Sequence, residues 1–429
     1  MRILITNNTL AGRAGSELYV RDLAVALLRL GHQPVAYSTV LGEVAKELRR
    51  LTVPVVDNLG SLASPPDLIH GHHHLETMTA LMRFPGVPAV YFCHGWLPWE
   101  EAPPRFPRIL RYVAVDYTCR DRVVLESGIP EERVSVIHNF VDNDRFRPRQ
   151  LTLPAKPQRA LVLSNSASEV THLPLVRQAC SLAQIDLDVA GSASGNPLLE
   201  PERVLERYDL VFAKGRSALE ALAVGCAVIL CDSAGSGPMV TLREVDRLRD
   251  FNFGIRLLTK PLAPETLLGE IHRYDPDDAQ QTSSRIRQTA SLKGAVESIL
   301  AVYDEALQER ETLHPDSGEE SVAVSEYLRW LGPRIKELNQ LWRTRGELLT
   351  EIDFLRGEAG RRQSVRNGFW PDGAALSEPR NPLGGTQASL GWKLLSGYGQ
   401  VKYRYLRPAF KKLKRLFGLR REKREPTAG

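Results

Sequence analysis

Lys214-Gly215-Arg216-Ser217, with Glu220 close behind, concentrates anion-binding chemistry in one short stretch. It follows an apolar run, Leu210–Phe212, and precedes Ala218 to Val224, which read as a helix. A glycine lets a ligand approach the backbone. The free N–H groups and positive dipole end of an opening helix suit a phosphate. Lys214 and Arg216 would add two positive charges, with Ser217 as N-cap and Glu220 one turn in, where it could accept hydroxyl protons. An ordinary capped helix with surface charges is the alternative. A second glycine loop, Gly235-Ser236-Gly237-Pro238, follows the next apolar run and could close over the same anion or be a plain turn. His94, after the run Pro88–Cys93, is placed to accept a proton or to serve as a structural histidine. Glu17 and Asp116, at expected loop or helix starts, are candidate polar site residues or, equally, helix caps. The cluster His70, His72, His73 and His74 lacks matching carboxylate spacing, and its alternate members are expected to point in different directions. No metal site is expected there.

These residues need a scaffold that brings loops together, and the spacing of apolar residues supplies one. Arg2–Thr6, Gln33–Ser38, Asp67–His70, Pro88–Cys93, Tyr112–Val115 and Val134–Ile137 read as strands, and Ser16–Leu30 as a helix that stops at Gly31. After a Pro- and Arg-rich stretch, Arg145 to Pro157, the alternation restarts. Ala160–Leu163, Asp186–Ala190, Leu210–Phe212, Ala227–Cys231 and Gly254–Leu257 are expected strands. Leu173–Ala183, Ser217–Val224 and Thr241–Arg249 are expected helices. Ala279–Leu307 reads as one long helix that ends the second unit or crosses back to the first. The pattern predicts two doubly wound, Rossmann-like α/β domains in series, with ligands beyond the C-terminal strand ends.

Beyond residue 310 the character changes. Leu328, Leu331, Ile335, Leu338, Trp342, Leu349 and Ile352 follow 3-4 spacing, which fits a short coiled coil or a helix packed on its own domain. Residues 359–390 read as a disordered linker. Residues 401–429 hold 11 Lys/Arg and 2 Glu, a charge of +9, so a net of +5 leaves the first 400 residues at −4. That asymmetry argues against nucleic acid as the partner of the body. Residues 391–424 interleave aromatics and leucines with cations, as interfacial segments on anionic membranes do.

The chain has 429 residues, 43% apolar and 25% charged, enough to bury a sizeable core. No run approaches the roughly 20 apolar residues of a membrane span, and the N-terminal apolar run is too short for a secretory signal. Five scattered cysteines fit neither a disulfide framework nor a zinc site, so a cytoplasmic setting is expected.

Five ordered segments resemble GT-B glycosyltransferases of the family-four type. They are Gly15-Ser16-Glu17 with Leu23-Ala24 and Leu30-Gly31-His32; Asp67-Leu68-Ile69-His70-Gly71-His72; Cys93-His94-Gly95; Val136 to Asp142 with Phe146; and Glu220 to Val228. The resemblance covers residues 1 to about 305. It implies an acceptor-side domain over 1–150 and a nucleotide-sugar domain over 151–310, followed by a helical or coiled-coil segment at 316–358, the linker at 359–390 and a basic tail at 391–429. It implies transfer from a nucleotide-diphosphate sugar to a glycan or lipid-linked acceptor, retaining and without metal or other cofactor, in cell-envelope polysaccharide or glycolipid synthesis. His94, Lys214 and Arg216 would be catalytic. Gly15, Asn165, Gly215, Ser217, Glu220, Gly235 and Gly237 would bind the donor, and Glu17 and His72 would lie on the acceptor side. Residues 391–424 would touch the inner face of an anionic membrane, and 321–358 would self-associate.

Two departures stand out. The family's first glutamate is replaced by Phe212, and its basic pair is missing from the loop Ser164-Asn165-Ser166-Ala167-Ser168. A catalytically degenerate nucleotide-sugar-binding scaffold and a nucleotide-sugar epimerase are therefore the rival readings.

Overall fold

The computed structural model describes residues 1–312 and 316–366, with residues 360–366 as backbone only. The expected tail at 391–429, and the linker from residue 367 on, lie outside the described residues. The chain divides into a compact unit, Met1–Lys336, and a second unit from Glu337 onward.

Two sheets organise the first unit. The first domain runs β1 (Arg2–Thr6), α1 (Gly15–Arg29), β2 (Gln33–Tyr37), α2 (Glu43–Arg50), β3 (Val55–Val56), β4 (Leu68–His72), α3 (His74–Arg83), β5 (Ala89–Cys93), β6 (Ile109–Ala114), α4 (Tyr117–Asp121) and β7 (Val134–Val136). Its seven parallel strands lie in the order β3-β2-β1-β4-β5-β6-β7. Ile3 pairs with Leu68 and Ile69 with Ala89. β4 and β5 are buried along their whole length because helices cover both faces of a parallel sheet. The order reverses between β1 and β4, which opens a crevice above their C-terminal ends.

The second domain runs β8 (Arg159–Leu163), α5 (Leu173–Leu182), β9 (Asp186–Ala190), β10 (Leu210–Ala213), α6 (Gly215–Val224), β11 (Ala227–Asp232), β12 (Gly235–Met239), α7 (Val245–Arg249), α8 (Pro264–Ile271) and α9 (Pro276–Thr289). Its strand order is β12-β11-β10-β8-β9, all parallel except β12. α10 (Leu292–Thr312) then returns to the first sheet, where Val296, Ile299, Val302 and Tyr303 join the core packed on α1. The expected single helix over Ala279–Leu307 is thus two. Ser291 bridges Val141 in parallel fashion, and backbone bonds from Val141 N–H to Ala290 and from Leu292 N–H to Val141 hold the break.

Three other expectations are corrected. Gly235 and Gly237 belong to an edge strand rather than a phosphate loop. β12 lies so close to residues 257–260 that a Cβ on Gly237 would stand 2.8 Å from the Leu257 carbonyl. The expected strand Gly254–Leu257 is a turn of 3-10 helix at Ile255–Leu257, since β12 already occupies that edge of the sheet. Residues 359–366 of the expected linker are helical instead, because α11 (Ser317–Arg366) continues through the good helix formers around Arg361 and Gln363.

α11 packs its first turns on the first domain through Ala323, Val324 and Tyr327, with Leu331 buried. Within the second unit it carries Leu338, Leu341, Trp342 and Leu349, which are exposed. No helix among the described residues is long and apolar enough to cross a membrane.

Candidate functional site

The C-terminal strand ends of the two sheets line a common cleft of about 550 Å³. Gly15, Ser16 and Tyr19 reach it from the start of α1, and His94, Gly95, Pro98 and Glu101 from the loop after β5. Facing them are Ser164, Asn165 and Ser166 after β8, Lys214 to Ser217 at the start of α6, and Asp232 at the end of β11. Of the residues singled out in the sequence, the fold gathers Gly15, His94, Asn165, Lys214, Gly215, Arg216 and Ser217 around this cleft. Glu17, His72, Glu220, Gly235 and Gly237 are not among its lining residues.

α6 begins directly after β10, with Lys214 as its N-cap and Gly215 at φ +59°. Ser217 is therefore inside the first turn and is not the cap. Lys214 Nζ lies 2.9 Å from Asp232 Oδ2 and its side chain is 38% exposed. The Asp232 carboxylate also accepts from the Ser166 hydroxyl and the Ser233 N–H. Burial opposes its ionisation, but the bonds from Ser166 and Lys214 hold its carboxyl below the ordinary aspartate value. The basic end of α6 is thus partly neutralised by a strand-end carboxylate that lies outside the anion-binding stretch of the sequence. Asp232 follows the buried run of β11, and a carboxylate at the C-terminal end of a parallel strand is the signal that marks it.

Arg216 is committed elsewhere. Its guanidinium bonds Asp22 of α1 in the opposite domain and, at 2.7 Å, Glu220 on its own helix. Asp22 also accepts from Arg21 at 2.6 Å and from Arg145 of the interdomain connection at 3.2 Å. Arg145 in turn pairs with Glu202 of the second domain. Despite burial, Asp22 and Glu220 hold Arg216 more firmly protonated. Three arginines likewise hold the Asp22 carboxyl below its usual value against the same desolvation. Glu220 sits in the second turn of α6, buried. Burial raises its pKa and Arg216 opposes the rise. No sequence signal marks Asp22: an i, i+1 Arg-Asp pair on a helix is ordinary, and only domain packing gives it Arg216.

The first-domain wall is aromatic. His94 stacks on His72 with centroids 4.4 Å apart, and the Tyr19 ring lies edge-on to His94 at 4.6 Å. Below, His72 Nε2 meets His70 Nε2, and His70 Nδ1 meets the Tyr303 hydroxyl. His70 and His72 thus share one face of β4, contrary to the expectation that alternate histidines diverge, because residues two apart on a strand point the same way. Burial keeps His70 and His72 well below the ordinary histidine value. It lowers His94 to about 4, with Glu101 opposing the shift. His94 Nε2 and the Tyr19 hydroxyl have no hydrogen-bond partner among the described residues. Both atoms are buried beside residues that line the cleft. His72 supports His94 from beneath, and its ring is fully buried.

Glu17 is a structural cap. Its carboxylate accepts from Gly12 N–H at 3.1 Å and Ala14 N–H at 2.6 Å, fixing the glycine loop ahead of α1. Asp116 similarly caps α4 by accepting from Cys119 N–H at 2.7 Å. Asn165 Oδ1 accepts from Ser192 N–H at 3.2 Å, tying the loop after β8 to the loop after β9. Gly191 makes that contact possible: at φ +151°, a Cβ there would fall 1.9 Å from the Ser164 carbonyl oxygen. Phe212, in place of the family's first glutamate, is buried in the sheet core and does not line the cleft.

Glu101 is a further cleft residue that the sequence did not signal. Its Oε2 accepts from His94 N–H at 3.0 Å, and its Oε1 lies 3.4 Å from His73 Nε2. His73 adopts φ +59°, unusual for a non-glycine residue. Burial works against both charges, yet the pair holds Glu101 below and His73 above their ordinary values. Among the described residues, no group of three or more His, Cys, Asp or Glu is arranged to hold a metal ion.

Residues 13–145 match the family described as Glycosyltransferase Family 4. Similar solved structures include a glycosyltransferase from Rickettsia africae, at 16% identity and TM-score 0.54, over 71% of this chain and 98% of that one. Anabaena Alr3699/HepE in complex with UDP-glucose matches at 16% identity and TM-score 0.52, over 71% of this chain and 100% of its own. Sucrose-phosphate synthase from Thermosynechococcus elongatus matches at 14% identity and TM-score 0.50, over 72% and 99%. At these identities the likeness establishes the shared two-domain fold. No curated protein sequence matches the chain.

Proposed function

We propose that this chain, a GT-B-fold protein whose N-terminal domain is of the glycosyltransferase family 4 type, moves a sugar from a nucleotide-diphosphate sugar to an acceptor in the cleft. The observation that carries the reading is the meeting of Lys214 and the α6 N-terminus with His94 and Tyr19 across one cavity. As the glycosidic bond breaks, the leaving nucleotide diphosphate gains charge. The α6 N–H groups and Lys214 would stabilise that charge where it develops, without a resident metal. His94, neutral at pH 7, would hydrogen-bond the transferred sugar through Nε2. Arg216 would act indirectly, by holding α6 against Asp22 of the acceptor-side domain.

The finer reading is transfer with retention, to a glycan or lipid-linked acceptor of the cell envelope, at the inner face of a membrane reached through residues 391–424. Exposed apolar residues of α11 such as Leu338 and Trp342 would mediate self-association. A sugar-binding scaffold without turnover is the second reading, favoured by the mutual saturation of Arg216, Glu220 and Asp22.

A thermal-shift screen against nucleotide-diphosphate sugars, followed by a search for released nucleotide diphosphate, tests both. A ligand at 100 times its Kd should add about 2.7 kcal/mol of stability. Binding with release of nucleotide diphosphate only when acceptor is added supports transfer. Binding without turnover under any acceptor supports the scaffold, and no binding removes both.

A further inference from the structure

Two consecutive histidines at the start of α3 face opposite tasks. His73 reaches Glu101 in the cleft wall, and His74 reaches α11. His74 Nδ1 lies 2.7 Å from the Tyr327 hydroxyl. Its ring packs edge-on to Trp330 at 4.9 Å and against Trp99 at 4.8 Å. Trp330 also faces Trp99 at 6.5 Å. Trp99 opens the 3-10 turn Trp99–Glu101, between two cleft-lining residues, Pro98 and Glu101. The same loop is held from its other side by Arg122, which donates to the Gly95 and Pro98 carbonyls.

We propose that the first turns of α11 are a strut for the 94–101 loop, with Tyr327 and Trp330 as positioning residues for the cleft wall. The strut is anchored at its own start. Glu320 takes Arg108 bidentately, at 2.6 and 3.1 Å, and the Arg108 side chain is 2% exposed. With that end fixed, Tyr327 and Trp330 follow about two and three turns along the same helix face. There they close an aromatic cluster over His74 and Trp99. Such ring contacts lower the freedom of the loop that presents His94 N–H to Glu101. In the proposed transfer reaction this loop carries His94, which would bond the transferred sugar, and forms the acceptor-side wall, so the strut sets the geometry of transferred sugar and acceptor and leaves the diphosphate wall at α6 alone. The functional part of the inference rests on that reading; the mechanical part does not.

Hydrogen exchange on the full-length chain separates the two. Trp330→Ala should speed amide exchange in peptides covering 93–101 by about five- to ten-fold, with peptides covering 210–225 unchanged. Trp330→Phe should restore most of the protection, because a ring still fills the cluster. Tyr327→Phe, which removes only the hydroxyl, should produce a smaller change confined to the same peptides. Equal exchange at 93–101 in Trp330→Ala and the parent overturns the strut. So does an increase spread evenly over the first domain, which marks general destabilisation. Binding of UDP, used as the donor-side probe, should keep its Kd within two-fold in Trp330→Ala. Where transfer is measurable, the acceptor KM should rise. Loop loosening in a chain that binds no nucleotide would retain the strut and remove the transferase reading.

Discussion

Arg216, at the start of the donor-side helix α6, is ion-paired with Asp22 of α1 in the opposite domain. Both side chains are nearly buried, and Asp22 also takes Arg21 and Arg145. The pair is a weld between domains as well as part of the cleft. Breaking one partner of such a buried pair leaves an uncompensated charge, which costs far more than an exposed ion pair contributes.

Asp22→Ala should therefore lower stability by about 3–5 kcal/mol in urea unfolding. A double-mutant cycle of Asp22→Asn with Arg216→Met should give a coupling energy of roughly 1–3 kcal/mol. A coupling near zero would show that the two side chains do not meet in solution.

Lys214 and Arg216 should part company on substitution, although the sequence presents them as a matched pair. Lys214 is 38% exposed and rests on Asp232 at the cleft floor, while Arg216 is 13% exposed. Lys214→Ala should weaken binding of a nucleotide diphosphate by about 1.5–3 kcal/mol, the worth of a hydrogen bond to a charged group, with a smaller stability loss of about 1 kcal/mol, because the buried Asp232 keeps its bonds from Ser166 and Ser233. Arg216→Ala should show the reverse order, losing stability first. Calorimetric titration with UDP, read beside urea midpoints, distinguishes the two. Equal losses of affinity and stability in both variants would count against the assignment.

Acid should unfold the first domain earlier than its carboxylates alone would require. Burial lowers both His74 and His94 to about 4, with His73 adding to the shift at His74 and Glu101 opposing it at His94. The unfolded chain binds those protons near pH 6.5. Their contribution to stability is complete above pH 6.5 and is lost as pH falls toward 4. His74, fully buried, accounts for roughly 3 kcal/mol of that loss. Unfolding free energies measured from pH 7.5 to 4.5 should fall steadily, and His74→Phe should flatten the slope. A slope unchanged by that substitution would refute the assignment.

The Arg108–Glu320 pair predicts how tightly the start of α11 is held. Arg108 also donates to the Leu81, Phe84 and Val87 carbonyls, so its charge survives partly satisfied when Glu320 is removed. Glu320→Ala should cost roughly 3 kcal/mol, the low end for a broken buried pair. Amide exchange in peptides covering 317–327 should then speed up. Unchanged exchange there would show that the helix start is held by its apolar contacts alone.

The sequence by itself determined the two sheets, the glycine-bearing turns at strand ends and the place of the cleft. These depend on local periodicity: continuous apolar runs such as Ile3–Ile5 and Val228–Cys231 can be satisfied only inside a covered parallel sheet, and their C-terminal ends must then carry the loops. It also placed Lys214, Gly215, Ser217, Asn165, His94 and Gly15 beside one another, because each lies between the C-terminal end of a parallel strand and the first turn of the helix after it. Tertiary structure alone decided the partners. Arg216 looks like a phosphate ligand until Asp22, 194 positions away in the chain, arrives to neutralise it. Glu17 and Glu220 look like free carboxylates until a loop backbone and an arginine take them. Gly235 looks like a loop residue until β12 folds back antiparallel on β11. Glu101 and His73 carry no spacing signal, since the strand–turn–helix rules that mark loops say nothing about which side chains cross between them. Periodicity reports which face of an element is buried. Charge pairing over long chain separation depends on how two domains settle against each other, and no local pattern encodes it.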